Sequence, residues 1–297
     1  MTTVLIVNPT AGNGHAGRVA AAAFDAARQA WGAVERIDTT GPGDAVGIAT
    51  RAAEAGTERI VVLGGDGTLH EAANGLLRAR VADRPPIAVL PAGTGNDYAK
   101  MAGTVGRSPH RAVERLRTAA IRRFDVGEAW GEYFINSVGI GFDAEVARAV
   151  NGGDLGRGLP AYLRAVARVV RRFDAPELEV AGDHHRFRDR LLLLEIGIGP
   201  CVGGGFRLTP RARPDDGLVD VCAIQHSSVP GILLKLPLVM VGQHVRLRHV
   251  RSFQATRLSV VSANGPLHAQ FDGEIREVSG RMDIRIVPAA LPVLVAS

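Results

Sequence analysis

The sequence predicts an α/β N-terminal domain with a parallel sheet and glycine-rich loops, followed by a β-rich, sandwich-like C-terminal domain. Three observations predict this. Short apolar strand runs alternate with helical runs over roughly the first 125 residues, the pattern of a parallel sheet covered by helices. Glycine-rich loops follow three of those strand runs. After Phe124 the rhythm changes to short strands separated by Gly, Asn and Pro. A length of 297 residues suits two domains. The boundary is placed near Arg123–Asp125, giving domains over 1–124 and 125–297, with the last ten or so residues able to return to the first.

In order, Val4–Val7 is a buried strand, and Gly17 to Trp31 is an alanine-rich helix. Val34–Ile37 is a short strand, Gly43 to Ala55 a helix stopped by Gly56, and Ile60–Leu63 a third strand. Leu69–Arg80 is helical and Ile87–Leu90 is the fourth strand. In the second half, Trp130-Gly131-Glu132-Tyr133 reads as a hairpin turn. Gly182-Asp183 reads as another, between Leu178–Val180 and Leu191–Ile198. Leu218–Ile224, Arg257–Val261, His268–Phe271 and Met282–Val287 are further strands. Leu159–Phe173 and Val229–Gln243 are helical interruptions.

Composition narrows the function classes. Apolar residues make up 46% and charged residues 22%, which excludes a disordered or fibrous chain. There is no uncharged apolar run long enough for a membrane span, and the N-terminus does not read as a signal peptide. Cys201 and Cys222 are the only cysteines, so no disulfide framework is expected, and a cytoplasmic location is. The net charge of +5 is carried almost wholly by arginine, because only Lys100 and Lys235 are lysines. Arginine suits phosphate and carboxylate groups. No dense basic block appears, so the expected anionic partner is a nucleotide or a membrane surface, with no nucleic acid.

Ligands of a parallel sheet collect beyond the carboxyl ends of its strands. Three loops fall there: Asn8-Pro9-Thr10-Ala11-Gly12-Asn13-Gly14, Gly64-Gly65-Asp66-Gly67-Thr68, and Pro91-Ala92-Gly93-Thr94-Gly95-Asn96-Asp97. Each leads into a helix. Glycine lets backbone N–H groups approach a phosphate, and a helix N-terminus adds unpaired donors and partial positive charge. Thr68-Leu69-His70-Glu71 fits a capping box with Thr68 as N-cap. Asp66 would then lie in the loop, where a carboxylate near phosphates calls for a divalent cation between them.

Other signals lie in the second half. Gly203-Gly204-Gly205-Phe206 marks a close backbone approach. Pro214-Asp215-Asp216-Gly217-Leu218 is a type I turn or a cation site. Phe271-Asp272-Gly273-Glu274 sets two carboxylates around a glycine at a strand end; beside a triphosphate, one of them would accept a proton from an attacking hydroxyl. Gly12-Asn13-Gly14-His15-Ala16-Gly17 matches a dinucleotide fingerprint, but it starts four residues beyond its strand and leaves the other two loops unexplained. No glycine loop is followed by a Walker lysine, which excludes a P-loop ATPase. The nine histidines form no metal-ligand spacing, and no nucleophile elbow is present.

Together these motifs resemble the bacterial diacylglycerol kinase family of soluble lipid kinases, whose catalytic domain is shared by sphingosine and ceramide kinases. Asn8-Pro9-Thr10-Ala11-Gly12, Gly64 to Thr68, Gly93 to Asp97, Asp215 to Leu218 and Asp272 to Glu274 match in order and spacing over nearly the whole chain. Asn136 to Ala144 and the triple glycine look like family segments too. The resemblance implies a nucleotide-binding first domain, a lipid-substrate second domain and an ATP site in the cleft between them. It implies nucleotide contacts from Asn8, Pro9, Thr10, Ala11, Gly12, Thr40 or Thr39, the Gly65–Glu71 segment (Gly65, Asp66, Gly67, Thr68, Glu71), Gly64, Gly93, Thr94 and Asn96. Asp66 and Asp97 would organise Mg²⁺. Asp272 or Glu274 would be the base. Asp216, with the backbone of Arg213 and Leu218, would hold a second, structural Mg²⁺. The chain departs from the family pattern at His70, Ile198 and Arg213. The expected reaction is transfer of the ATP γ-phosphate to a lipid hydroxyl, most simply that of diacylglycerol. The alternatives are an NAD kinase-like enzyme, whose nicotinamide segment is not found, and a non-catalytic nucleotide-binding regulator. A homodimer is left open.

A lipid kinase without a membrane span must reach its substrate at an interface. Leu159, Tyr162, Leu163, Val166, Val169, Val170 and Phe173 recur at helical spacing, with Arg164, Arg168, Arg171 and Arg172 largely on the other face. That helix either lies on an anionic membrane or packs its apolar stripe on the β domain. Either way, peripheral association with the inner face of the membrane is expected.

Overall fold

β1 (Thr3–Val7) is buried along its whole length, as a parallel strand covered on both faces should be. It opens a β/α series of α1 (Ala11–Trp31), β2 (Val34–Asp38), α2 (Asp44–Glu54), β3 (Arg59–Gly64), α3 (Asp66–Arg78), β4 (Ile87–Pro91), α4 (Asp97–Met101) and α5 (Pro109–Arg117). The computed structural model describes residues 2–106, 108–151, 164–165, 168–169, 173–226, 236–263 and 265–296. The chain divides into a first unit, Met1–Val126 with Pro288–Ser297, and a second, Gly127–Val287.

In the first unit the strands run parallel in the order β2-β1-β3-β4. The end of the last strand joins beside β4, Val293 opposite Ile87. Leu5, Val7, Val61, Leu63 and Leu90 face Ala16, Ala20 and Ala23 of α1 and Val113 and Leu116 of α5. α2 packs on β1 and α3 on β3. The last two helices approach closely at Gly75, where a Cβ would stand 2.1 Å from the Val46 carbonyl oxygen.

The long run of α1 starts close to the expected Gly17, because Gly12, Asn13 and Gly14 take left-handed conformations (φ 57°, 60° and 77°) that kink the first turn at Ala11 away from it. α3 begins at Asp66 with Gly65 as N-cap, so Thr68 is not the cap. α4 follows the third glycine loop as expected, and α5 falls where no helix was expected.

The second unit is built of β5 (Ala120–Ala129), which enters it from the first, β6 (Glu132–Phe134), β7 (Ser137–Gly141), α6 (Phe142–Asn151), β8 (Glu177–Gly182), β9 (Arg186–Gly197), β10 (Val219–Gln225), β11 (Val250–Ala255), β12 (Arg257–Ser262), β13 (Leu267–Phe271), β14 (Glu274–Val278) and β15 (Arg281–Val295), which leaves it. One layer runs β9-β8-β12-β15-β5-β6 and the other β14-β13-β7-β9-β10-β11. Leu178, Val180, Leu194, Ile196, Val221, Leu258, Val260 and Ile284 form its core, with Phe134 edge-on to Phe271 at 6.2 Å.

β9 belongs to both layers. Arg186, Arg188 and Arg190 alternate outward and pair with Glu179, Glu177 and Asp174. From Leu191 onward the strand is buried continuously. The sequence showed the apolar half and hid the arginine half. The Trp130-Gly131 hairpin (φ 54° and 72°) and the Gly182–His185 turn form as expected. The triple glycine turns a short hairpin in which Val202 and Phe206 exchange backbone bonds of 2.9 Å, each glycine at positive φ.

The expected helix Leu159–Phe173 lies largely outside the described residues. Of those described, Ala165 and Val169 pack with Val146, while Arg164 and Arg168 are exposed. In the second helical stretch, residues 227–235 lie outside the described set and Leu236–Met240 is helical.

His244 supplies a pH test of this unit. It is 1% exposed, with Nε2 3.2 Å from the Leu208 carbonyl oxygen and 3.5 Å from Cys222 Sγ. Burial holds its pKa below the ordinary histidine value, against the raising effect of backbone bonds to Leu208 and Leu238. The unfolded chain therefore takes up this proton first as pH falls through ~6.5, and stability falls with it. The melting temperature should drop between pH 7 and 5 by more in wild type than in His244→Gln. Parallel curves would show that this histidine does not set the slope.

Candidate functional site

The order β2-β1-β3-β4 reverses direction between β1 and β3, and a crevice for ligand is expected beyond the carboxyl ends at that point. The side chain of Asn8 spans it. Its Nδ2 donates to Thr68 Oγ1 (2.9 Å), and its Oδ1 accepts from the Thr10 N–H (3.1 Å) and hydroxyl (2.8 Å). The first two glycine loops are thereby tied together.

Backbone packing joins the third loop to both. A Cβ on Gly12 would stand 2.1 Å from the Ala92 carbonyl oxygen, and one on Gly93 2.4 Å from Gly65 Cα. Asn96, left-handed at φ 52°, closes the third loop by accepting from Gly93 N–H and donating to Gly93 O, both at 2.9 Å. Asp66 accepts from the Asp97 N–H (3.1 Å) and the Tyr98 N–H (3.0 Å), holding the start of α4. Asp97 is 4% exposed, with Oδ1 2.6 Å from Lys100 Nζ. Thr10 and Thr94 face solvent.

The capping-box expectation is corrected here. Thr68 takes the bond from Asn8, and Glu71 turns to α2, accepting from Gly43 N–H (2.8 Å) and Ala45 N–H (3.3 Å). Glu71 therefore fixes the loop that carries Thr40. Asp44 fixes it as well, accepting from the N–H groups of Thr40 (2.7 Å) and Gly41 (3.1 Å) and from the Thr40 hydroxyl. Those bonds, the hydroxyl's first, hold the Asp44 carboxyl below its ordinary pKa. Thr39 is buried. His70 is 3% exposed and lies against Asn74, away from solvent. Sequence reasoning missed Asp44, although a carboxylate in the first turn of a helix is a recognisable signal.

In the second unit, Asp272-Gly273 forms the two-residue loop between β13 and β14, with φ 49° and 97°, a turn in which Asp-Gly is favoured. The Asp272 carboxylate faces inward. Oδ1 accepts from the N–H groups of Asn136 and Ser137, and Oδ2 from that of Ile135, all at 2.8 Å. Asn136 in turn accepts from Ile198 N–H (2.8 Å) and Gly199 N–H (3.1 Å) and donates to the Cys201 carbonyl (3.0 Å). Glu274 points outward, its side chain 48% exposed and 4.0 Å from Arg276, whose other nitrogens hold Glu132 at 2.9–3.0 Å.

The Asp215-Asp216-Gly217 turn is closed by Leu218 N–H donating to Asp216 Oδ1 (3.1 Å). Gln254 Nε2 lies 3.4 Å from Asp216 Oδ2 and 3.0 Å from Asp220 Oδ2, so two carboxylates converge on one amide. Asp220 is 5% exposed. Burial raises its pKa, Gln254 opposes that, Asp216 adds to the rise, and the charge of Arg211 offsets part of it. Sequence reasoning missed Asp220, although an acidic residue inside the apolar run Val219–Ala223 was a visible signal.

A parallel α/β unit with three joined glycine loops, followed by an antiparallel sandwich-like unit, is the architecture shared by diacylglycerol and NAD kinases. Residues 2–129 match the diacylglycerol kinase catalytic domain, and 136–295 match the YegS C-terminal NAD kinase beta sandwich-like domain. The chain is 28% identical to a diacylglycerol kinase of Bacillus subtilis (strain 168), over 91% of this chain and 88% of that one. It is 36% identical to a Pseudomonas aeruginosa protein described as "Probable lipid kinase YegS-like", over 84% and 81%. Among solved structures it resembles a diacylglycerol kinase from Bacillus anthracis str. Sterne (TM-score 0.75, 20% identity, 99% and 96% covered). It also resembles yeast NADH kinase (TM-score 0.56, 11% identity, 100% and 84% covered). The chain belongs to the bacterial diacylglycerol kinase and YegS-like family of lipid kinases, enzymes that use ATP. Among the described residues, no helix is long and apolar enough to cross a membrane.

Proposed function

We propose that the protein transfers the γ-phosphate of ATP to the free hydroxyl of diacylglycerol, giving phosphatidic acid. The observation that carries this reading is the joining of three glycine loops at one strand edge, by Asn8–Thr68, Asp66–Asp97 and the Gly93–Gly65 contact. The choice of diacylglycerol follows the Bacillus subtilis relative.

Phosphoryl transfer asks the protein mainly for positioning and charge neutralisation. The N–H groups at the start of α3 and of Thr94 to Asn96 bind phosphate oxygens, and Thr10, Thr40 and Thr94 orient the nucleotide. Mg²⁺, when bound, neutralises charge on those oxygens. The donor set fits it, because Asp66 and Asp97 supply hard carboxylate oxygens. Glu274 takes the proton from the lipid hydroxyl. Asp272 holds the 135–137 backbone, since three N–H bonds already occupy most of its lone-pair sites.

The test is incubation with Mg²⁺, labelled ATP and a panel of diacylglycerol, sphingosine, ceramide and NAD. Label on diacylglycerol is expected. Label on another acceptor would replace the substrate, and no label on any would leave the nucleotide site without a reaction.

The Asp216–Asp220 pair is the proposed structural Mg²⁺ site, with carbonyls from Arg213 and Leu218. Two converging carboxylates, one of them buried, fit a hard divalent cation. Mg²⁺ should raise the melting temperature of wild type and not of Asp216→Ala, since a ligand of the folded state stabilises it by mass action. An equal rise in both, measured by calorimetry, would return this segment to a plain turn.

A further inference from the structure

We infer that the surface carrying Arg207, Arg211 and Arg246 beside Met240 and Val241 is where the protein seats on an anionic lipid bilayer. The inference rests on the proposal that the substrate is a bilayer lipid. It is separate from the Leu159–Phe173 helix that the sequence suggested.

The surface is built from two segments held closely together. Arg207 N–H donates to the Val239 carbonyl at 3.2 Å, fixing the 206–211 segment against the end of the Leu236–Met240 helix. The chain then turns at Gly242 (φ 71°), where a Cβ would meet Pro210 Cβ at 2.7 Å. Buried His244 anchors the next turn through the Leu208 carbonyl. A depression of about 510 Å³ results, lined by Arg207, Pro210, Arg211, Val241, Val245 and Arg246 among others, with no acidic side chain among the described residues of its wall.

Charge and polarity together identify the occupant. All three arginines are exposed, and among the described residues none of them makes an ion pair within 4.0 Å, although the charge of Arg211 acts on buried Asp220. The β9 arginines, by contrast, are each matched by a carboxylate. Beside the arginines, Met240 is 45% and Val241 59% exposed, two of the five large hydrophobics that the described surface shows to this degree. A dissolved phosphate would engage the arginines and leave Met240 and Val241 in water. A bilayer satisfies both, with phosphate headgroups on the guanidinium groups and the upper acyl region on the apolar pair. Basic residues near an anionic surface act together, and three should amount to roughly 10²-fold in partitioning.

The test is co-sedimentation, without ATP, with vesicles of phosphatidylcholine and of phosphatidylcholine mixed with phosphatidylglycerol. Wild type should bind the anionic vesicles in a salt-sensitive way. The triple variant Arg207→Gln, Arg211→Gln, Arg246→Gln should bind about 10²-fold more weakly, with an unchanged melting curve. Met240→Ser with Val241→Ser should weaken the binding that survives at high salt. The triple variant should also lose turnover on diacylglycerol in anionic vesicles while keeping wild-type turnover on diacylglycerol in detergent micelles. Equal wild-type binding to neutral vesicles would overturn the inference, as would unimpaired binding by the triple variant. Loss of binding in Arg164→Gln with Arg168→Gln alone would move the contact to that helix. Competition by inorganic phosphate, with no effect of the Met240 and Val241 changes, would make the surface a phosphate site instead. No micellar turnover in wild type would sink the diacylglycerol reading and leave the vesicle result standing by itself.

Discussion

Glu274→Gln is expected to lower lipid phosphorylation by about 10²–10⁴-fold, the usual loss when a general base is removed, with little change in melting temperature or in ATP affinity. The side chain is half exposed, and its ion-pair partner, Arg276, stands 4.0 Å away and is committed to Glu132. Its oxygens are open to a hydroxyl, and replacing one by an amide disturbs nothing that holds the turn. Asp272→Asn should behave differently. Both of its oxygens face backbone donors, so an amide must set its NH₂ against at least one N–H. Leaving a buried donor unpaired costs about 1–3 kcal/mol. The expected signature is a lower melting temperature together with a partial loss of turnover. If instead Asp272→Asn abolishes turnover at an unchanged melting temperature and Glu274→Gln stays active, the two roles are exchanged.

What the sequence made legible follows from range. The strands of the first unit, its glycine loops and the Asp272-Gly273 turn are local signals: a few apolar residues, then residues that permit tight turns. The capping box at Thr68 was a local signal that long-range partners overrode, Thr68 bonding Asn8 and Glu71 bonding Gly43. The function of the Asp272 carboxylate was hidden for the same reason. It closes on backbone some 135–137 positions earlier in the chain, which no spacing rule reports. Gly12, Asn13 and Gly14 read as breakers and act as breakers, their left-handed conformations separating the first turn at Ala11 from the long run of α1. The arginine surface at 207, 211 and 246 was invisible as a charge block, since packing alone brings its two segments together.

Gly93→Ala should damage the phosphate loops severely, as should Gly12→Ala, whose added Cβ would stand 2.1 Å from the Ala92 carbonyl oxygen. At Gly93 the added Cβ would stand 2.4 Å from Gly65 Cα and 3.1 Å from Asn96 Oδ1. The first obstacle is backbone, so no side-chain rotation relieves it, and one of the two loops must move. Moving it misaligns N–H groups whose placement is the binding site, and it pulls on the Asn96 bonds that close the third loop. Overpacking of this kind costs about 1–3 kcal/mol, so ATP affinity should fall by roughly 5- to 150-fold. Gly65→Ala meets the same contact from the other side at 3.2 Å and should be milder. Gly106→Ala, which meets nothing within 4 Å, should bind ATP as wild type does. Titration calorimetry with ATP and Mg²⁺ separates the three, and wild-type affinity in Gly93→Ala would mean that the nucleotide is held elsewhere.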